Sequence, residues 1–216
     1  MTNKTTLHQY LTEILGDAFL QTMYMIIVPT IIATILGFIL AIILVLTKPK
    51  GLKPNKYVYS VVGFVVNIVR SFPFIILLVA LIPFTRFLIG TSIGETAAIV
   101  PITIGAAPFI ARIIENALNE VDEGLIEAAK SFGATKTQII FKVMIKEAMP
   151  SIISGITLSV ISILGYTAMA GGLGKVALVY GHQRFDTAVM IYVVITLVIV
   201  VQAIQMLGDY AYKKLK

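Results

Sequence analysis

A glycine-rich turn ending in lysine is a way for a chain to hold phosphate, and residues 171–175 read Gly-Gly-Leu-Gly-Lys. A phosphate-cradling loop needs Ser or Thr after that lysine and a glycine five positions before the last one. Here Val176 follows Lys175, and Met169 stands at the glycine position. The chain therefore has no nucleotide-hydrolysing site of its own. His8 and His182 lie far apart with no ligand spacing around them, so no metal site is expected. There is no cysteine, which removes thiolate chemistry and gives no clue to compartment. Paired acids and a Ser/His arrangement are missing too, which argues against an enzyme. Three features with chemical character remain. One is the polar stretch "EAAKSFGATKTQIIFKVMIKEAMP" at 127–150. The second is a hydroxyl-bearing stripe between Ser151 and Met169. The third is Arg70, set in an apolar run.

The elements that must position these residues are set by composition. The chain is 58% hydrophobic and 13% charged, with mean hydropathy +0.95. Soluble domains are near one quarter charged. A chain of 216 residues cannot hide so much apolar surface from water, so its solvent is lipid. The net charge of +6 fits lysines that hold loops on the cytoplasmic side better than it fits nucleic acid. The expected class is an all-α integral membrane protein.

Five apolar stretches read as spans, at about 19–47, 57–83, 97–115, 151–170 and 187–207. Pro29 marks a kink in the first, Pro73 a break in the second, and Pro101 and Pro108 interrupt the third. Residues 1–18 form a polar extracytoplasmic segment, unlike a cleaved signal peptide. Residues 209–216 form a basic tail. With the N-terminus outside, segments 48–56, 111–150 and 209–216 hold four, five and three Lys/Arg, against Lys4, Arg86, Lys175 and Arg184 outside. The positive-inside bias thus places the C-terminus and residues 127–150 in the cytoplasm. No repeat and no second-domain boundary is evident.

The polar middle, about 120–149, reads as helix, turn, helix. Leu125, Ile126, Ala129 and Phe132 fall on one helical face. Asp122 is placed to cap that helix, and Glu123 and Glu127 lie where the helix dipole favours acid. Gly133 is the expected stop. Thr135 opens "TKTQ", a Thr-x-x-Gln capping box. The next helix carries Ile139, Ile140, Val143, Met144 and Ala148 on its apolar face. Two readings stand: an amphipathic connector at the lipid interface, or a short helix docked in a partner's groove. In the second, Glu127 offers a carboxylate and Ala128 and Ala129 permit close approach.

The pattern Glu127-Ala128-Ala129, three residues, then Gly133 resembles the EAA loop of ATP-binding-cassette importer permeases. The family pattern continues with Ile-x-Leu-Pro. This chain has Val143, Met144, Ile145 and Lys146, so lysine replaces the proline. "NIVRSFPFIILLVALIPFTRFLIGTSIG", "AAIVPITIGAAPFIARIIENAL" and "GYTAMAGGLGKVALVYG" resemble the methionine-importer permeases from about residue 57 onward. "AMAGGLG" is shorter than that family's usual loop.

The resemblance implies a type I importer permease fold: a homodimer of five-span subunits in a prokaryotic cell membrane, importing methionine in its L form and by extension its D form. It further implies two copies of a cytoplasmic ATPase, which uses the ATP and Mg, and an extracytoplasmic methionine-binding protein, often lipid-anchored. The permease itself carries no cofactor and meets membrane lipid, not nucleic acid. Coupling to the ATPase falls to Glu127, Ala128, Ala129, Phe132, Gly133 and Thr135.

In the fourth span Ser151, Gly155, Ser159 and Ser162, then Tyr166 and Met169, share a face. Tight packing through small residues is one reading. A translocation path lined by Ser159, Ser162 and Tyr166, with Met169 as an apolar, deformable gate, is the other. Arg70 with Pro73 is either a structural anchor snorkelling to the inner interface or part of the path. The alternative functions are a permease for another small amino acid or derivative, and an ion-coupled carrier that needs no ATPase. That carrier would want intramembrane carboxylates, and no Asp or Glu is expected inside a span.

Overall fold

The computed structural model describes residues 14–215. Helices are the only regular elements among them. Helix α1 spans Leu15–Thr47 and absorbs Pro29 without ending, so residues 15–18 belong to this helix and not to a preceding segment. One face carries Ala33, Gly37 and Ala41, all buried, at intervals of four. A Cβ at Gly37 would press on the Ala107 carbonyl and Ile110. Small residues let backbones approach where lipid supplies no hydrophobic drive. The opposite face carries Ile27, Ile31, Ile35 and Ile39, each more than half exposed. This ridge is left uncovered by the rest of the chain.

The partner of that small-residue face is helix α5, Glu95–Asn119. It is the central post of the fold, with Ile102, Ile110, Ile114 and Leu118 fully buried. Pro101 and Pro108 lie inside this single helix, which also runs past the expected end at residue 115. Neighbouring helices support a backbone that has lost two amide donors, as membrane helices tolerate.

Between them the second apolar stretch is bent. Helix α2, Lys56–Ser71, is capped by the Asn55 side chain and ends before Pro73. Phe72 is extended, as a residue before proline prefers to be. Helix α3, Phe74–Ala80, then leaves at 105° to α2. Helix α4, Ile82–Ile89, continues to the left-handed Gly90. The second apolar stretch is thus sharply bent, and four unbroken helices are long and apolar enough to cross a membrane, or five spans if the bent pair counts as one.

Helix α6, Glu123–Ser131, follows α5. Helix α7 runs from Lys136 to Ala170, with a π-helical stretch over Ile139–Met144. The fourth span and the second half of the polar middle are therefore one continuous rod, and Pro150 sits inside it. The glycine run forms a short helix, α8, Gly172–Val176. Gly172 has φ +55, and a Cβ there would meet Thr22. One at Gly174 would overlap Ala168. Packing, not phosphate, explains these glycines. Helix α9, Thr187–Leu215, takes the basic tail into its last turns.

Candidate functional site

The polar middle builds itself as its sequence dictates. The Asp122 carboxylate accepts from the Gly124 and Leu125 amides at 2.7 and 3.3 Å. Gly133 turns the chain at φ +76, and the Ala134 amide donates to the Ala129 carbonyl. The Thr135 hydroxyl accepts from the Gln138 amide while the Gln138 side chain accepts from the Thr135 amide. Both halves of the capping box are present. The expected apolar face of α6 divides, however. Ile126 and Ala129 pack on the core, joining Ile139, Ile140, Met144 and Ala148 of α7. Leu125 faces outward, and Phe132 is 91% exposed. Glu127 and Ala128 are also exposed.

A groove of about 350 Å³ runs beside α6, lined by Lys48, Lys50, Glu123, Glu127 and Lys130 among others. The Lys48 ammonium donates to the Asn119 side chain at 2.6 Å. The loop between the first two membrane helices and the polar middle therefore share one side of the molecule.

The stripe on α7 also divides. Ser159 is buried, donating to the Gly155 carbonyl at 2.8 Å. Gly155 faces Ile113 so closely that a Cβ would collide with it. In the single chain these two residues serve helix packing. Ser162 is partly exposed and donates to the Leu158 carbonyl. Tyr166 stacks on Phe74 with ring centroids 4.3 Å apart. Met169, 56% exposed, lines a cavity of about 160 Å³ with Ile93 and Pro101.

Arg70 joins this second group. A cavity of about 280 Å³ is lined by Arg70, Phe72, Phe74, Gly105, Phe109 and Tyr166 among others. The bend at Pro73 is what brings Arg70 and Phe74 to one wall of it. The Arg70 guanidinium lies 6.0 Å from the centre of the Phe109 ring. Phe109 sits fourteen residues from one end of α5 and ten from the other. At about 1.5 Å per residue that is mid-helix. Arg70 thus stands beside the middle of α5.

Sequence reasoning missed a third cluster. Arg112 pairs with Glu115 at 2.6 Å, and its other nitrogen donates to the Asn67 side chain at 3.0 Å and the Gly63 carbonyl at 3.4 Å. Glu115 is 3% exposed within α5, which corrects the expectation that no acid lies inside a span. The i,i+3 spacing of Arg112 and Glu115 was the available signal. Among the described residues, no group of three His, Asp or Glu could hold a metal ion.

A bundle of apolar helices around a central post, a broken second span and a capped polar elbow define a helical membrane-embedded transport component of the type I ABC importer permease fold. Residues 33–216 match the family of binding-protein-dependent transport system inner membrane components, and the chain belongs to it. It is similar to the probable D-methionine transport system permease protein MetI of Vibrio cholerae, at 48% identity over 92% of this chain and 90% of that one. It is also 49% identical to the methionine import system permease protein MetP of Bacillus subtilis, over 77% of this chain and 78% of that one. Among solved structures, a chain of the MetNI methionine ABC transporter in an inward-facing conformation superposes with TM-score 0.93 at 43% identity, over 95% of this chain and 98% of that one.

Proposed function

We propose that this chain is the permease subunit of an ATP-driven methionine importer and works as a homodimer with two copies of a separate ATPase. The observation that carries the coupling role is Phe132. A phenylalanine 91% exposed at the end of a doubly capped elbow is unfavourable in water and well suited to a groove on a partner. Its neighbours Glu127, Ala128 and Ala129 add a carboxylate and a low profile, and Gly133 and Thr135 fix the angle at which α6 leaves α7.

The mechanism follows from the continuity of α7. Force applied to α6 enters a rod that runs unbroken from Lys136 to Ala170, at whose far end stand Tyr166 and Met169. ATP-driven closure of the ATPase pair would carry the two elbows together and tilt the rods, so that the path between protomers opens outward. Hydrolysis would reset it. Met169 seals the path with a thioether that excludes water and deforms for an amino acid. The orientation that serves this cycle has the N-terminus outside and residues 127–150 in the cytoplasm. An extracytoplasmic methionine-binding protein, as an anchored lipoprotein, would deliver the substrate. Methionine is supported by the names of the relatives. The ion-coupled alternative is disfavoured because the one carboxylate buried among the described residues, Glu115, is already paired with Arg112.

The test is co-purification with the partner ATPase and binding protein, reconstitution in proteoliposomes, and measurement of labelled methionine uptake. ATP-dependent uptake, with at least a tenfold loss in Phe132→Ala or Gly133→Leu, is expected. Uptake without ATPase, or full uptake in both variants, would overturn the reading.

A further inference from the structure

We infer that the cavity at the Pro73 bend is a substrate subsite, in which Arg70 holds the α-carboxylate of the transported amino acid and the surrounding rings hold its apolar side chain. This rests on the importer reading above and names the chemistry of its path.

The two membrane arginines provide the argument, because the fold treats them differently. Arg112 is matched by a carboxylate, an amide oxygen and a carbonyl. Arg70 makes no hydrogen bond or ion pair among the described residues. Among the described residues its one neighbour of electrostatic consequence is the Phe109 ring at 6.0 Å, the outer limit of a useful cation–π contact. A guanidinium carries five donors and cannot lose its charge. Among membrane-spanning helices such a group is costly unless an anion or water meets it, and it marks a functional site by default. The fork geometry selects a planar carboxylate, which it binds through two parallel hydrogen bonds.

The rest of the cavity fits the rest of an amino acid. Phe74 and Tyr166 form a fixed stacked pair, and Phe109 faces them across the same space. Aromatic walls favour an apolar side chain, and a thioether gains further from contact with ring edges. The volume, about 280 Å³, is at the lower end of small-molecule sites and suits one amino acid, not a peptide. The cavity is open at the protomer surface, where Arg70 and Phe72 are exposed. It adjoins the path residues, since Tyr166 lies one helical turn from Met169.

The assembled transporter in nanodiscs, exposed to photo-methionine and illuminated, tests the assignment. Cross-links are expected on this chain at residues 69–77, 105–109 or 166. L-Methionine should suppress them at least tenfold under conditions where L-methioninol, which lacks the carboxylate, does not. Arg70→Gln should lose at least tenfold of the label and Arg70→Lys less. Labelling only elsewhere on the chain, equal competition by methioninol, or full labelling of Arg70→Gln would overturn the assignment. Loss of label when phosphatidylglycerol replaces phosphatidylcholine would give the guanidinium to a lipid phosphate and overturn it too. Should Arg70→Gln not assemble with the ATPase, the competition on the unaltered transporter decides. Any of these failures alongside normal ATP-driven methionine uptake removes the subsite alone. Absent uptake removes the importer reading and the subsite with it.

Discussion

Arg112 and Arg70 show how far a single residue's meaning depends on what folds against it. In sequence, each is an arginine in oily surroundings. In the structure, Arg112 is tied to Glu115 and reaches across to Asn67 and Gly63 of α2, so it joins α2 to α5. A buried pair is poor evidence of net stability, but removing one member is costly because the other charge is left alone. Glu115→Ala should therefore destabilise the protein by about 3–5 kcal/mol. The apolar double replacement Arg112→Met with Glu115→Leu should cost much less. Thermal unfolding of the purified variants in detergent decides; equal loss in the single and double variants would contradict the pairing argument. The i,i+3 spacing of the pair is legible in the sequence. Its link to Asn67, 45 positions away, is not, because it depends on how two helices cross.

At the scale of elements, local rules were readable wherever the chain meets water. Asp122, Gly133 and Thr135 do what their types dictate, because backbone groups at helix ends need partners and nothing else competes for them there. Within the apolar layer the same residue type gives different outcomes. Pro73 ends α2 at an extended Phe72, while Pro101 and Pro108 lie inside α5. The difference is burial: Pro101 and Pro108 are enclosed by packed helices, whereas Pro73 is exposed. Sequence also merged the fourth span with nothing before it, since Lys142, Lys146 and Glu147 look like a boundary. These three are exposed on a helix whose other face is buried, so polarity there marks a side and not an end. The cap on α6 offers a direct check. Asp122→Ala removes an acceptor shared by two amides, and should cost about 1 kcal/mol of local helix stability. Hydrogen exchange at residues 124–131 should speed up roughly fivefold, with exchange in α5 unchanged. Unchanged protection in α6 would mean that docking on the core, and not the cap, holds it.

For the whole molecule, the number of apolar stretches and their class were legible because lipid imposes them on composition. Which residues face inward was only partly so. Ser159 and Met169 belong to one stripe in the sequence, yet the first is buried and the second is open. The side on which each loop lies rests on charge counting, and the absence of cysteine makes it measurable without background. Phe132 and Ile93 are 91% and 84% exposed, so a cysteine at either should react freely with any maleimide that reaches it. On the charge count Phe132 is expected inside, and Ile93, separated from it by the single crossing of α5, outside. A membrane-impermeant maleimide should thus label Ile93→Cys in intact cells and Phe132→Cys only in inside-out vesicles. The reverse pattern would turn the chain over in the bilayer. An ATPase in the cytoplasm could then not touch α6, and the rod from Lys136 to Ala170 would have no motor to move it. If the expected pattern appears, binding of the ATPase should also protect Phe132→Cys and leave Ile93→Cys reactive, which ties the orientation of the chain to the place where force enters it.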